Sequence, residues 1–218
     1  MHSVLVVDDS VYVVDVFMTM LEQGGYRTFA AYSGPECLEL LRTMTPDLVL
    51  LDVMMKPMDG WKTLEEIRGN PATKNIPVLM LTSKVLTHGE AEKYSSLIED
   101  YVLKPLTNFE LYDVVEHVLR RRQMILADVE RARQAGLDNE IVSEYALLSK
   151  NIEVSRRFLT ILENTYNLNK QVVPISDNIG TAMKNLETHL RSQEARHRQI
   201  KEEIKKASRE VVLTYQLR

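Results

Sequence analysis

The stretch Asp47-Leu-Val-Leu-Leu-Asp52-Val-Met-Met-Lys-Pro-Met-Asp-Gly60 constrains this chain more than any other. An unbroken apolar run, Leu48 to Leu51, ends at a carboxylate and enters a turn marked by Pro57, Asp59 and Gly60. A run this short reads as a strand covered on both faces, as in a parallel sheet. Asp52 then stands at the carboxyl end of a central strand, the edge at which ligands bind in open α/β sheets. Taken alone, it could equally cap the turn that follows.

The surrounding sequence repeats the pattern. Val4 to Val7 is a buried-strand run ending in Asp8-Asp9, and Val11 to Leu21 is helical in pattern with Gly24-Gly25 as its stop. Arg27 to Tyr32 reads as a weaker strand. Ser33-Gly34-Pro35 opens a helix to about Met44, with Ser33 as a cap and Pro35 early in the first turn. Further on, the spacing predicts a helix over Trp61 to Arg68, a strand over Pro77 to Leu81 and a helix from Gly89 to Leu97. A fifth strand, Asp100 to Leu103, and a helix from near Asn108 complete the series. Strands and helices alternating with short links imply a parallel sheet with right-handed crossovers and helices on both faces.

Just past the strand ends stand Asp8 and Asp9, then Asp52, Thr82 and Lys104. In a doubly wound sheet these ends converge on one crevice. Three carboxylates gathered there invite a hard divalent cation, and Mg²⁺ is the usual one where a phosphate completes the shell. A lysine supplies compact positive charge for phosphoryl oxygens, and a threonine hydroxyl can donate to another. An aspartate is a competent nucleophile toward phosphorus, and phosphoryl transfer needs mainly positioning and charge neutralisation.

On these residues, the segment to about 120 resembles the receiver domain of two-component response regulators. The resemblance implies a flavodoxin-like, doubly wound five-stranded parallel sheet. It also implies that Asp52 accepts a phosphoryl group from a histidine kinase or a phosphotransfer protein. Asp9 and Asp52 would bind Mg²⁺ with the backbone carbonyl of Met54, and Asp8 would act partly through water. Lys104 would pair with the phosphate, its bond to Pro105 would be cis, and Thr82 and Tyr101 would form the switch. The chain departs from the family pattern at Lys56, with proline one place later at Pro57, and at Ser96-Leu97-Ile98 before the fifth strand. The second departure is expected to put two bulky apolar residues beside a face that receivers often use to dimerise. Ser83 should leave room for the phosphoryl group, while Met54 and Lys84 stand where the family tunes dephosphorylation.

Composition changes partway along. Up to residue 118 there are 9 basic and 18 acidic residues, against 18 basic and 13 acidic beyond it, where only Gly136, Gly180 and Pro174 interrupt the chain. An acidic, turn-rich part thus precedes a mildly basic one almost without turns, and we expect two domains, 1–121 and 122–218. In the second, apolar residues recur at steps of four and three. They are Leu111, Val115, Val118, Ile125, Val129 and Ala132, interrupted by Arg122, up to a stop at Gly136. After an Asp138-Asn139 cap come Ile141, Tyr145, Leu148, Ile152, Ser155, Leu159, Leu162 and Tyr166. After Pro174 come Ile179, Met183, Leu186, Leu190, Gln193, His197, Ile200, Ile204, Ala207 and Val211. A 3.5-residue repeat fits a coiled-coil seam or a self-packed bundle equally. Such long stripes argue for a partner, most simply a second copy of the chain.

The expectation is therefore a receiver followed by an all-α coiled-coil or bundle region that signals through protein contact with a downstream partner, with no separate catalytic output domain. The unbroken spacing across the junction suggests that the fifth helix carries the signal onward. Rival readings are a DNA-binding regulator and a phosphorelay protein using His117, His189 or His197; nucleic acid is disfavoured because Glu194, Glu202 and Glu203 interleave with the basic residues of Arg191 to Arg209. With Cys37 alone, no disulfide can form within the chain. No apolar run reaches the ~18 residues of a membrane span, and the N-terminus lacks a signal-peptide pattern, so a cytoplasmic protein is expected.

Overall fold

The computed structural model of the chain describes residues 1–83, 88–169 and 177–216. Lys84 and Pro174 lie outside the described residues, as do the side chains of Leu162, Tyr166, Ile179 and Val211. The chain divides into two compact units, Met1–Leu119 and Arg120–Arg218.

In the first unit the elements are β1 (Ser3–Val7), α1 (Val11–Gln23), β2 (Arg27–Ala31), α2 (Gly34–Thr43), β3 (Leu48–Asp52), α3 (Gly60–Gly69), β4 (Val78–Thr82), α4 (His88–Tyr94) and β5 (Asp100–Leu103). A long helix, α5 (Asn108–Gln134), begins in this unit and ends in the second. The five strands are parallel in the order β2-β1-β3-β4-β5, so the sheet is doubly wound about β1 and β3. Every residue of β3 and β4 is buried, which is why their sequences are apolar runs and not alternations.

Alternate strand residues point to opposite faces. Val4, Val6, Leu48, Leu50, Leu79 and Leu81 form one core with Val14, Phe17 and Leu21 of α1 and with Leu111, Val115 and Val118 of α5. Right-handed crossovers then place α2, α3 and α4 on the other face, where α2 packs against α3. The entry of α5 is a capping box: the Glu110 carboxylate accepts from the Thr107 backbone N–H at 2.8 Å, and the Glu110 N–H donates to the Thr107 hydroxyl at 3.3 Å.

α4 stops at Tyr94, three residues before the expected Leu97. The Leu97 N–H turns back to the Tyr94 carbonyl at 2.9 Å, and the Leu97 carbonyl accepts from Arg68 Nε at 2.8 Å. That guanidinium also binds the carbonyls of Ile76 and Lys74, at 2.8 and 3.0 Å. Trp61 and Tyr94 stack with ring centroids 4.2 Å apart, joining α4 to α3. Ile98 is fully buried, so of the two apolar residues expected beside the surface only Leu97 is partly exposed.

The second unit contains the remainder of α5, then α6 (Asn139–Asn169) and α7 (Asp177–Gln216). Gly136, at φ +76°, makes the left-handed stop after α5. The Asp138 carboxylate accepts the Glu140 N–H at 2.7 Å at the start of α6. α6 and α7 run antiparallel, as paired contacts show: Arg196 meets Glu144, whereas Arg156 meets Glu194. Val129 and Ala132 of α5 pack with Val142 and Tyr145 of α6 and with Ile200 and Ile204 of α7. Further along, Ile152 and Leu159 meet Leu190. The apolar stripes thus face one another within a single chain, so their spacing does not by itself call for a second copy.

A close approach positions the end of β3. A Cβ built on Gly60 would lie 2.1 Å from the Asp52 carbonyl oxygen, and backbone there cannot yield. Gly60→Ala is expected to lower the unfolding free energy by about 1–3 kcal/mol through overpacking, read by chemical denaturation of the full chain.

Candidate functional site

Strand register assembles the site. Val7 pairs with Leu51, so Asp8 follows β1 beside Asp52. Asp52 pairs with Leu81, and Thr82 with Leu103, which brings Thr82 and Lys104 to the same edge. Lys104 Nζ lies 2.6 Å from Asp52 Oδ1 and also donates to Asp8 Oδ2. The second oxygens are held by backbone: Asp52 Oδ2 accepts from the Met54 N–H at 2.7 Å, and Asp8 Oδ1 from the Ser10 N–H at 2.9 Å. Asp8, Asp52 and Thr82 are all buried. Tyr101 is buried as well, and the Lys104–Pro105 bond is cis.

Asp9, next to Asp8 in sequence, is exposed. Its Oδ2 accepts from the backbone N–H of Lys56 at 3.1 Å, in a loop whose Lys56–Pro57 bond is also cis. The displaced proline was visible in the sequence, but the bond from the Lys56 amide to Asp9 was not. Nor was the ring of Phe17, which Lys104 Nζ overlies at 5.8 Å. Asp8 makes a direct ion pair with Lys104. Met54 is largely exposed beside the site, and Ser83 is exposed too.

One ammonium serves two buried carboxylates, so one negative charge is left without a cation among these three groups. Burial, the largest cause, holds the Asp52 carboxyl above the usual aspartate value of 3.8; Lys104 opposes this and Asp8 adds to it. The donors are hard oxygens, of the kind Mg²⁺ takes from one or two carboxylates with waters and phosphate. As arranged here, Lys104 engages two of the carboxylates and the Lys56 amide the third. Among the described residues, no three His, Cys, Asp or Glu side chains already form a metal cluster.

The raised value of Asp52 has a definite sign. The folded chain binds this proton more tightly than the unfolded chain, so the group's contribution to stability is complete below about pH 3.8 and is lost as pH rises through the raised value. Asp52→Asn, which cannot ionise, is expected to gain stability relative to the natural chain across that window and then hold a constant advantage. Thermal melts of both chains from about pH 4 to about pH 7 read this. A pH-independent difference would mean that folding leaves the carboxyl unshifted.

Residues 4–116 match the family model described as response regulator receiver domain. Residues 121–208 match a second model, described as Metanogen output domain 2. The DNA-binding dual master transcriptional regulator RpaA of Synechocystis is 31% identical over 144 residues, covering 66% of this chain and 57% of that protein. The transcriptional regulatory protein ZraR of Escherichia coli K12 is 38% identical over 165 residues, covering 73% of this chain and 36% of its own. The chain therefore spans between about a third and three fifths of these relatives' length. Of solved structures, the Francisella response regulator 1452 receiver domain is 31% identical with a TM-score of 0.51, covering 56% of this chain and 99% of that one. The N-terminal domain of a receiver protein from Methanoculleus marisnigri JR1 is 63% identical with a TM-score of 0.47, covering 55% and 97%. With its parallel sheet, its convergent strand-end residues and a receiver model matched over more than half its length, this chain belongs to the response regulator receiver family.

Proposed function

We propose that the chain is a phosphorylation-controlled response regulator in which Asp52 is the phosphoacceptor and the helical unit signals by protein contact. The observation that carries this reading is the Lys104 ammonium, 2.6 Å from Asp52 Oδ1 at the edge where Asp8 and Thr82 also stand. Receiver domains take phosphoryl groups from histidine kinases and generally use Mg²⁺ at the phosphorylation site. In the proposed step an Asp52 carboxylate oxygen attacks phosphorus of a phosphohistidine. The P–N bond breaks as the P–O bond forms, and the departing imidazole takes a proton. Asp9, Asp52 and the Met54 carbonyl would hold Mg²⁺, with Asp8 beside them; the ion supplies neutralisation of phosphoryl charge. Lys104 leaves its pairing with Asp52 to bind a phosphoryl oxygen, and the Thr82 hydroxyl donates to another. Moving that ammonium is the change through which Thr82 and Tyr101 sense phosphorylation.

The output reading rests on the helical unit. α5 is helical without a break from Asn108 to Gln134, which supports its carrying the signal onward into a region beginning near residue 122. A homodimer through this region and a downstream protein partner complete the proposal. The names of RpaA and ZraR favour a transcriptional role as the second reading. Against direct DNA reading, α6 and α7 are 31 and 40 residues long, unlike the compact helices of a helix-turn-helix. Against a phosphorelay role, His197 is half-buried, stacked on Tyr145 at 4.9 Å and bonded to Ser149 at 2.8 Å; His189, exposed on α7, lies 3.1 Å from the Gln193 amide nitrogen. No described helix is long and apolar enough to cross a membrane.

Incubation with acetyl phosphate and Mg²⁺ is expected to add one hydroxylamine-labile phosphoryl group, seen by intact-mass spectrometry. Asp52→Asn and chelation of Mg²⁺ should each abolish it, and Lys104→Ala should slow it by about tenfold or more. Label on a histidine instead would overturn the assignment. Light scattering with and without beryllofluoride then tests the output: a mass increase in the natural chain and not in Asp52→Ala is expected. A monomer under both conditions would remove the dimer from the proposal.

A further inference from the structure

The helical unit holds a groove of about 780 Å³ between α5, α6 and α7, well within the range of small-molecule sites. Met124, Ile125, Ile152 and Ile204 make its apolar lining. Two of its inner polar pairs are made within the unit: the Tyr145 hydroxyl donates to Asp128 Oδ2 at 2.5 Å, and His197 Nε2 lies 2.8 Å from the Ser149 hydroxyl. Burial, with the nearby Lys201, pushes the His197 imidazole below its usual value.

The rim is different. Arg131 is bound by Asp128, Arg156 by Glu153 and Glu194, and Lys205 by Glu202. Arg198, Lys201 and Arg209 line the groove along one face of α7, are exposed, and have no ion pair among the described residues. Seven basic and three acidic residues line the groove altogether, so its charge is positive.

We propose that this groove binds a small organic anion with an apolar body, an aromatic or acyl group bearing a carboxylate, sulfonate or phosphate. The apolar part would cover the isoleucines, and the anionic head would lie between Arg198 and Lys201, one turn apart on α7, with Arg209 about 16 Å along the helix from Arg198 extending the positive rim. Two other occupants fit less well. An apolar helix would cover the isoleucines but bring no anion to Arg198 and Lys201. The same groove of a second copy would bring positive charge against positive charge.

The test is a titration of the full chain with 1-anilinonaphthalene-8-sulfonate, an aromatic anion that fluoresces in apolar surroundings. Saturable binding of one equivalent is expected, displaced more readily by decanoate than by decanol. Arg198→Glu with Lys201→Glu should weaken it by about tenfold or more. Lys184→Glu with Arg191→Glu, the same charge change on α7 outside the groove, should leave it unaltered. Circular dichroism checks that all chains keep their helix content, and Lys201→Gln is the milder variant if the double one does not. Absence of saturable binding would overturn the proposal, as would equal loss in both double variants. Displacement by duplex DNA, or loss of the probe as the chain dimerises, would assign the groove to a macromolecule and overturn it too.

Discussion

The ammonium of Lys104, set between two buried carboxylates, is the interaction on which the site depends. Taking Asp8 and Asp52 out of water is costly, and the Coulombic return is large only when the geometry is good and the remaining oxygens are satisfied. Both conditions are met by the sheet. The Met54 and Ser10 amides hold the outer oxygens, and the paired registers of β1, β3, β4 and β5 bring the charged ends to one edge. In β3 and β4, buried on both faces, a slip of one residue would keep apolar residues in the core but would carry the polar end away from the edge. The pairing register therefore fixes the site as much as the two-sided core fixes the fold. Gly60 adds a local condition, because its missing side chain lets α3 begin directly against the Asp52 carbonyl.

The helical unit solves a different problem. Long helices with a stripe on one face must bury that stripe, and α6 and α7 do so against each other and the end of α5. Ion pairs at the margins mark their register. Arg196 binds Glu144 through two nitrogens, at 2.8 and 2.7 Å, and Arg156 reaches Glu194 at 2.6 Å. Being largely exposed, such pairs add little stability, but they hold opposite directions of chain in one alignment. His197 illustrates the outcome: as a polar residue in a seam it is accommodated by a Tyr145 stack and a Ser149 hydrogen bond.

Much of the receiver was legible because its signals are local. An apolar run that stops at Asp52 describes a buried strand and its end at once, and β5 was read to the residue at Asp100–Leu103. α4 was read too long because its end is set by Arg68, twenty-nine residues away, which captures the Leu97 carbonyl. The Thr107–Glu110 capping box fixes where α5 begins, and its spacing is a local signal of the same kind. In the helical region, a repeat of 3.5 residues describes one helix at a time. It cannot say whether the facing helix belongs to the same chain.

Residue order alone determined the strand–helix alternation, the set of polar residues at the strand ends and the apolar face of each long helix, because each follows from backbone period and burial within a few neighbours. Only the tertiary structure decided that Lys104 is shared by Asp8 and Asp52, that Asp9 turns to the Lys56 amide, and that the helical stripes close on one another. Those outcomes depend on distances between residues remote in sequence, where desolvation and the competition of several donors for the same oxygen choose the partner.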